Sequence, residues 1–448
     1  MRVAFYTLGC KLNFAETSTL KRSFSAQGYE PVDFNNQADI YVINSCTVTG
    51  KADKKSKEAI KKARNQNPEA RIIVIGCFAQ LSPETLADIP GVDLILGNHE
   101  KYNIIQYLQK ADVRKTPKIH THSLHETNAF HPAYSLGDRT RSFLKIQDGC
   151  DYRCAYCTIP KARGESRNPG IESILEQARN IAKNKVKEII LTGVNLGDFG
   201  KSNGEPLPEL LFQLEQIPGI ERYRISSIEP NLLSDEIIHF ISRSEKFLPH
   251  FHIPLQSGSD AMLAKMKRRY NRAFFENKIQ KIKQRIPHAF IGVDVITGFP
   301  GENTRLFEET HEFIKKLDAS YYHVFPYSDR PGTPSYEMHP KIMPETIKER
   351  SHRLQQVAQK KLWHFYRQHL QEEREVLLEK YNHHGNMFGF TDNYIKVVTQ
   401  HSPEWAGKIK KFHLQRINEK GYMVGIPKCE EKKSHETCMQ CPSQQGNE

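Results

Sequence analysis

Three apolar runs near the start of the chain, "RVAFYTL", "DIYVINS" and "RIIVIG", are each followed closely by a cysteine and then by an amphipathic stretch. A short, continuously apolar run reads as a strand buried on both faces, the mark of a parallel sheet. The stretches that follow, "NFAETSTLKRSFSAQG", "KADKKSKEAIKKAR" and "SPETLADI", read as helices, and "DLILG" as a fourth strand. Strand–helix alternation dictates an open parallel α/β sheet over residues 1–115. Ligands of such sheets bind beyond the carboxyl ends of the strands. Cys10, Cys46 and Cys77 occupy that place in three units, so they are expected to converge on one edge. A single cysteine there would be a small buried hydrophobe. Three in equivalent places favour a shared ligand site.

Residues 116–140 are polar, His-rich and unpatterned, and read as a linker. Alternation resumes with the strands "FLKIQ", "EIILTGV", "RYRISSI", "HFHIPLQ", "FIGVDVITGFP" and "YYHVFPYS". Six strand–helix units predict a partial (β/α)6 barrel, with chemistry at the C-terminal ends of its strands. A long helix is expected over 343–373, which closes a domain spanning 141–373. Beyond it, "REVLLEKY", "MFGFTDNYIKVVTQ", "GKIKKFHLQRIN" and "GYMVGI" suggest a small antiparallel β-barrel over 374–427. Residues 428–448 form a polar tail. It holds Cys429, Cys438 and Cys441 with His435 between them, either a zinc or redox site or incidental cysteines.

The chain carries a net charge of +12 over 448 residues. That suits a polyanionic partner or a merely solvated basic surface. Basic residues cluster in "KADKKSKEAIKKAR" and "KMKRRYNR". No apolar run reaches the length of a membrane span, and "MRVAFYTLGC" lacks the order of a signal peptide, so the cytoplasm is expected. Thiols stay reduced there, and nine cysteines then point to metal or catalysis before disulfides.

The loop after the first barrel strand reads "DGCDYRCAYC", with Cys150, Cys154 and Cys157 in CxxxCxxC spacing. Structural zinc wants four closed ligands. An iron–sulfur cube tied by three cysteines leaves one iron open to a small molecule. With Tyr156 before the last cysteine, this stretch resembles the signature of radical S-adenosylmethionine enzymes. In that family the open iron chelates S-adenosylmethionine, and one electron yields a 5′-deoxyadenosyl radical that abstracts hydrogen from carbon.

The whole arrangement resembles the methylthiotransferases. The match runs from "TLGCKLNFAET" through "SFLKIQDGCDYRCAYCTIPKARGESRN", "HFHIPLQSGSD", "DVITGFPGE" and "YSDRPGTPSYEM" to the β appendix, which looks like a TRAM domain. The resemblance implies two [4Fe–4S] clusters. Cys150, Cys154 and Cys157 would hold the radical cluster, and Cys10, Cys46 and Cys77 an auxiliary cluster whose open iron carries the sulfur. One S-adenosylmethionine would methylate the sulfur and another would generate the radical. Cofactor contacts are expected from Tyr156, Thr192, Gly193, Ser227, Glu229, Gln256, Ser257, Asp294, Gly298 and Pro300, mostly at strand ends, where each could equally be a turn or cap. Arg163 and Arg167 would grip substrate phosphate or order the cysteine loop. Lys408, Lys410, Lys411 and Arg416 of the appendix suit RNA backbone contact.

Three branches of this family differ in substrate: threonylcarbamoyladenosine in tRNA, isopentenyladenosine in tRNA, and an aspartate of a ribosomal protein. "GCKLNFAET", with Lys11, together with "IPKARGESRN" and "RISSIEP", resembles the threonylcarbamoyl branch. The implied partners are tRNA, an electron donor such as flavodoxin or ferredoxin, and a sulfur source. The contrasting reading is an RNA-binding or electron-transfer protein with structural clusters.

Overall fold

The computed structural model describes residues 1–110, 117–122, 129–137 and 139–428. Strands β1 (Arg2–Thr7), β2 (Glu30–Val32), β3 (Ile40–Ser45), β4 (Arg71–Gly76), β5 (Leu94–Leu96) and β6 (Lys118–His120) form one parallel sheet in the order β2-β1-β3-β4-β5-β6. Helices α1 (Lys11–Ala26), α2 (Gly50–Gln66), α3 (Cys77–Leu81), α4 (Pro83–Ala87) and α5 (Ile104–Lys110) accompany it. Every residue of β3 is buried because both faces are covered. Tyr41 and Ile43 pack with Ile60 of α2 on one face, while Ile40 and Val42 pack with Leu20 and Phe24 of α1 on the other. The expected linker is corrected in part: Lys118–His120 is the edge strand of this sheet. From the same stretch, His122 bonds Glu100 at 2.7 Å and His131 bonds His99 at 3.1 Å. At three residues each, β2 and β6 are too short to show a period.

Strands β7 (Ser142–Lys145), β8 (Glu188–Thr192) and β9 (Arg222–Ile225) form one parallel sheet, and β10 (His250–Gln256), β11 (Phe290–Thr297) and β12 (Tyr321–Pro326) another. Parallel bridges Tyr223–Phe247 and Ser227–His252 join them. The result is the expected six-stranded partial barrel. Its helices are α6 (Ile159–Arg163), α7 (Ile171–Lys183), α8 (Leu207–Glu215), α9 (Asp235–Arg243), α10 (Asp260–Lys265), α11 (Arg272–Arg285) and α12 (Thr304–Lys316). Leu144, Leu191, Ile225, Ile253, Val293 and Tyr322 pack outward into one core with helix residues such as Ile174, Leu210 and Ile279. Side chains alternate across a strand, so Lys145, Thr192, Arg224, His252, Asp294 and His323 line the lumen.

Helix α13 (Pro344–Gln368) ends five residues short of the expected 373, because Glu373 already opens β13 (Glu373–Leu378). With β14 (Asn386–Thr391), β15 (Lys396–Gln400), β16 (Ile409–Ile417) and β17 (Met423–Pro427), it makes a closed barrel. All its pairings are antiparallel except β15 with β17. This barrel sits at the N-terminal ends of the larger barrel's strands. Arg222 at the start of β9 pairs with Glu375 at 3.3 Å, and Arg141 pairs with Glu379 at 3.3 Å. Within the small barrel, Lys411 of β16 pairs with Glu373 of β13 at 3.2 Å. Cys429, His435, Cys438 and Cys441 lie outside the described residues. No helix among the described residues is long and apolar enough to cross a membrane.

Candidate active site

Cys46 directly follows β3, Cys77 directly follows β4 and opens α3, and Cys10 caps α1. Two glycines allow the approach. Gly9 has φ +94°, and a Cβ there would lie 2.9 Å from Cys46 Sγ. Gly76 has φ +95°, and a Cβ there would meet Asn44 Oδ1 at 2.4 Å. Neither position tolerates a side chain. The three thiols feel one another. Burial pushes Cys46 up to about 12, with Cys77 and Cys10 adding to the rise. Desolvation raises Cys10 against the pull of Arg163, and Cys77 again adds. Cys10, Cys46 and Cys77 follow β1, β3 and β4, which are neighbours in the parallel sheet, so the three lie along one sheet edge. Asn98 Nδ2 donates to Cys77 Sγ at 3.7 Å and to the Ala162 carbonyl at 2.6 Å.

Cys150, Cys154 and Cys157 lie in the loop between β7 and α6. The backbone N–H of Tyr152 donates to Cys150 Sγ at 3.4 Å, and that of Ile159 to Cys157 Sγ at 3.4 Å. Arg268 places a guanidinium nitrogen 3.0 Å from Cys154 Sγ. The same guanidinium bonds the hydroxyls of Tyr270 at 3.0 Å and Tyr156 at 3.4 Å, and also Glu229. Burial raises the Cys150 and Cys157 thiols to about 12. Three sulfurs met by N–H donors and a fixed cation fit the thiolate ligands of a [4Fe–4S] cluster with one iron free of protein. Arg268 was legible only as part of a basic patch.

A buried residue that the sequence did not single out, Gln147, ties this loop to the next. Its Oε1 accepts from the N–H groups of Val194 and Asn195, both at 2.8 Å. Its Nε2 donates to the Gly149 carbonyl at 2.7 Å and to Ser166 Oγ at 2.9 Å. Gly193 lies directly against it; a Cβ there would be 2.8 Å from Gln147 Oε1. Thr192 ends β8, and its hydroxyl returns to the Ile190 carbonyl at 3.1 Å. Ser227 bridges β10, and Gln256 sits at the end of that strand with φ +73°. Gly298 donates its N–H to Glu302 at 2.9 Å, and Pro300 beside it is buried.

Two expected cofactor contacts are placed differently. The Ser257 hydroxyl faces Thr310 of α12 at 3.1 Å, outside the barrel wall. Asp294 is not at a strand end. It lies inside β11 and bonds His252 Nε2 at 2.7 Å, with His323 close by. Helix α1 faces the same lumen: its Phe14 and Ala15 pack with the inward Phe143 and Ile190, and Lys11, its first residue, lies one turn earlier on that face. Burial pushes it down to about 8, and the cations Arg141 and Arg224 add to that, against the pull of Asp294.

The two cysteine-bearing domains meet across buried charge. Arg163 bonds Glu16 at 3.0 and 3.1 Å, Asp148 at 2.9 Å and Asn13 at 2.6 Å. Lys101 reaches Glu16 at 2.6 Å, and Lys145 reaches Glu16 at 3.1 Å and Asp148 at 2.6 Å. Burial alone would raise the Glu16 carboxyl, but Arg163, Lys101 and Lys145 hold it well below the usual range. Arg163 and Arg167 therefore order the loop and join the domains. Arg167 donates to the Arg163 carbonyl at 2.7 Å and to Asp148 at 3.3 Å.

Residues 144–314 match the radical SAM superfamily, and residues 2–97 match the uncharacterized protein family UPF0004. The chain is 40% identical to the threonylcarbamoyladenosine tRNA methylthiotransferase MtaB of Bacillus subtilis, over 92% of this chain and 93% of that protein. It is 39% identical to the same-named protein of Aquifex aeolicus, over 91% and 99%. A tRNA-2-methylthio-N(6)-dimethylallyladenosine synthase of Clostridium tetani is 34% identical, over 76% and 77%. The fold is shared with the radical S-adenosylmethionine methyltransferase TsrM of Kitasatospora setae, at a TM-score of 0.54 and 14% identity over 75% of this chain and 76% of that one. On this sequence identity and coverage, the chain belongs to the radical S-adenosylmethionine methylthiotransferase family.

Proposed function

We propose that the protein installs a methylthio group at C2 of N6-threonylcarbamoyladenosine beside the tRNA anticodon, with a second [4Fe–4S] cluster held by Cys10, Cys46 and Cys77. The carrying observation is how the two cysteine sites are joined. Helix α3, opened by Cys77, packs on α6, which follows Cys157, and Asn98 links Cys77 Sγ to Ala162 of α6. A group that delivers sulfur and one that removes hydrogen must reach the same carbon, so their sites need a fixed mutual position. When bound, the clusters and S-adenosylmethionine supply one-electron cleavage, methyl transfer and the sulfur.

The chain's own residues do the positioning. Gln147 locks the cysteine loop to the turn after β8. Arg268 holds positive charge against Cys154. The Glu16–Arg163 network fixes one domain on the other. The named activities of the Bacillus and Aquifex relatives support the threonylcarbamoyl substrate. The Clostridium relative supports the isopentenyl substrate as the second reading. On the preferred reading, residues 374–427 contact RNA in the manner of a TRAM domain. A flavodoxin or ferredoxin supplies electrons, a separate donor supplies sulfur, and the reaction runs in the cytoplasm.

The test is anaerobic. The protein is reconstituted with iron and sulfide, then given reductant, S-adenosylmethionine and tRNA bearing either modified adenosine. Methylthio product on the threonylcarbamoyl tRNA, with 5′-deoxyadenosine, is the expected result by nucleoside mass spectrometry. Product on the isopentenyl tRNA alone would replace the substrate. Deoxyadenosine with neither product would remove tRNA from the reading.

A further inference from the structure

We propose that Lys11 is the residue that recognises the substrate's carboxylate: inside the six-stranded barrel and next in the chain to Cys10, its ammonium takes the anionic threonyl carboxylate of the modified nucleoside. This rests on the threonylcarbamoyl reading above and names the part of the site that reads it.

Lys11 is half-buried, and among the described residues it makes no hydrogen bond or ion pair. The other lumen cations are committed. Lys145 bonds Glu16 and Asp148. Arg224 bonds Glu188 at 3.1 Å and the carbonyls of Thr391 and Asp392. The lumen carboxylate whose charge acts on Lys11, Asp294, is engaged by His252 at 2.7 Å. A cation withdrawn from water without a partner is unfavourable. Local structure does not explain it either, because a lysine in the first turn of a helix faces the positive end of the helix dipole. Helix α1 packs on β7, and one turn on from Lys11 its Phe14 and Ala15 pack with Phe143 and Ile190, which alternate with the outward Leu144 and Leu191 and so face the lumen; Lys11 shares that helix face, and its charge acts on Asp294, His250 and His323.

The chemistry of the nucleoside agrees with this position. C2 and the N6 substituent flank the same ring nitrogen of adenine. A residue adjacent to Cys10, which on that reading ligates the sulfur-carrying cluster, therefore stands near both the carbon to be modified and the group on N6. An isopentenyl group would leave this cation without an anion. S-adenosylmethionine also carries a carboxylate, and the test separates the two sources.

The experiment crosses a change in the protein with a change in the substrate. Wild type, Lys11→Gln and Lys11→Arg are assayed on anticodon stem-loops carrying threonylcarbamoyladenosine or its methyl ester. The ester should lower wild-type kcat/KM about 10- to 100-fold, the range of a charge-assisted hydrogen bond. Lys11→Gln should lose a similar factor on the acid but almost nothing further on the ester. Lys11→Arg should keep most of the acid-over-ester preference. Because the preference is a ratio within each variant, a general folding or cluster defect cancels. An equal ester penalty in wild type and Lys11→Gln would overturn the assignment and move Lys11 to another role, such as the cofactor's carboxylate. No ester penalty in wild type would overturn it as well. A wild type that acts only on isopentenyl stem-loops would remove the underlying reading instead.

Discussion

Glu16→Gln removes one negative charge at nearly constant volume from the centre of the domain junction. Glu16 is wholly buried and receives Arg163, Lys101, Lys145 and the Tyr102 hydroxyl. After substitution, Arg163 and Lys145 keep Asp148 as their only carboxylate, Lys101 keeps only the Asn98 amide oxygen, and an amide donor points at other donors. Removing one partner from a buried ion network costs about 3–5 kcal/mol. Lys101, already pushed down by burial despite Glu16, can release its proton, and that caps the loss near the lower figure. Urea unfolding of the intact chain measures it. The chain has several domains, so the first transition is read. With a slope of about 2–3 kcal/mol per molar urea, its midpoint should fall by about 1 M. The pH dependence has a definite sign. The folded Glu16 carboxyl lies below its ordinary value of 4.5, so its stabilisation is full above that pH and is lost as pH falls through the folded value. The gap between wild type and variant should stay open at neutral pH and close only in acid. A midpoint within about 0.2 M of wild type at neutral pH would refute the claim that this network holds the domains together.

Gly76→Ala should cost about 2–4 kcal/mol, because a Cβ would meet Asn44 Oδ1 at 2.4 Å and the Ser45 carbonyl at 2.6 Å at a φ of +95°; thermal unfolding measures this, and iron analysis should show metal lost from the Cys77 site and kept at Cys150. Arg268→Met removes the cation 3.0 Å from Cys154 Sγ and should lower the potential of the reconstituted radical-site cluster by about 50 mV or more, read by an anaerobic redox titration. Ser257→Ala loses the hydroxyl's contact with Thr310 at 3.1 Å; it should cost about 1 kcal/mol of stability by denaturant titration and leave the KM for S-adenosylmethionine unchanged.

The cysteines were legible because their meaning is local. Each of Cys10, Cys46 and Cys77 closely follows a strand whose apolar run is plain, and the other three share one loop. The barrel followed from its strand count. The lumen was half legible. "RYRI", "HFHIPLQ" and "YYHVF" carry polar residues at alternate positions of strands whose intervening residues are core. That period marks Arg224, His252 and His323 as inward-facing, although the runs were read only as strands. Arg268 has a neighbour of the same type, Arg269, which stacks on Tyr152 at 3.9 Å. No sequence pattern tells the arginine over the cysteine from the one over the ring. Strand ends invited the placement of Asp294 and Ser257 beside the cofactor, and a side chain three residues short of its strand's end, or one turned toward α12, defeats such reasoning. The junction was invisible for a different reason: Glu16, Lys101, Lys145, Asp148 and Arg163 come from separate parts of the chain and share no local period.

That junction also explains why the domains meet through charge. An apolar contact tolerates small slides, because burial of apolar area is non-directional. A buried network is satisfied in one arrangement and heavily penalised in others. The Arg163 fork takes Asn13 and Glu16 from the first domain and Asp148 from the second, and a lysine could not make the same bidentate set. The same arginine is close enough to Cys10 and Cys77 for their sulfurs to act on it, and it lies on the helix that follows Cys157. One side chain thus registers one cysteine site against the other. A displacement of about 1 Å between reacting groups can cost a hundredfold in rate, so the directional interaction belongs at this position, beside the apolar contact of Phe14 and Ala15 with Phe143 and Ile190 that shields it.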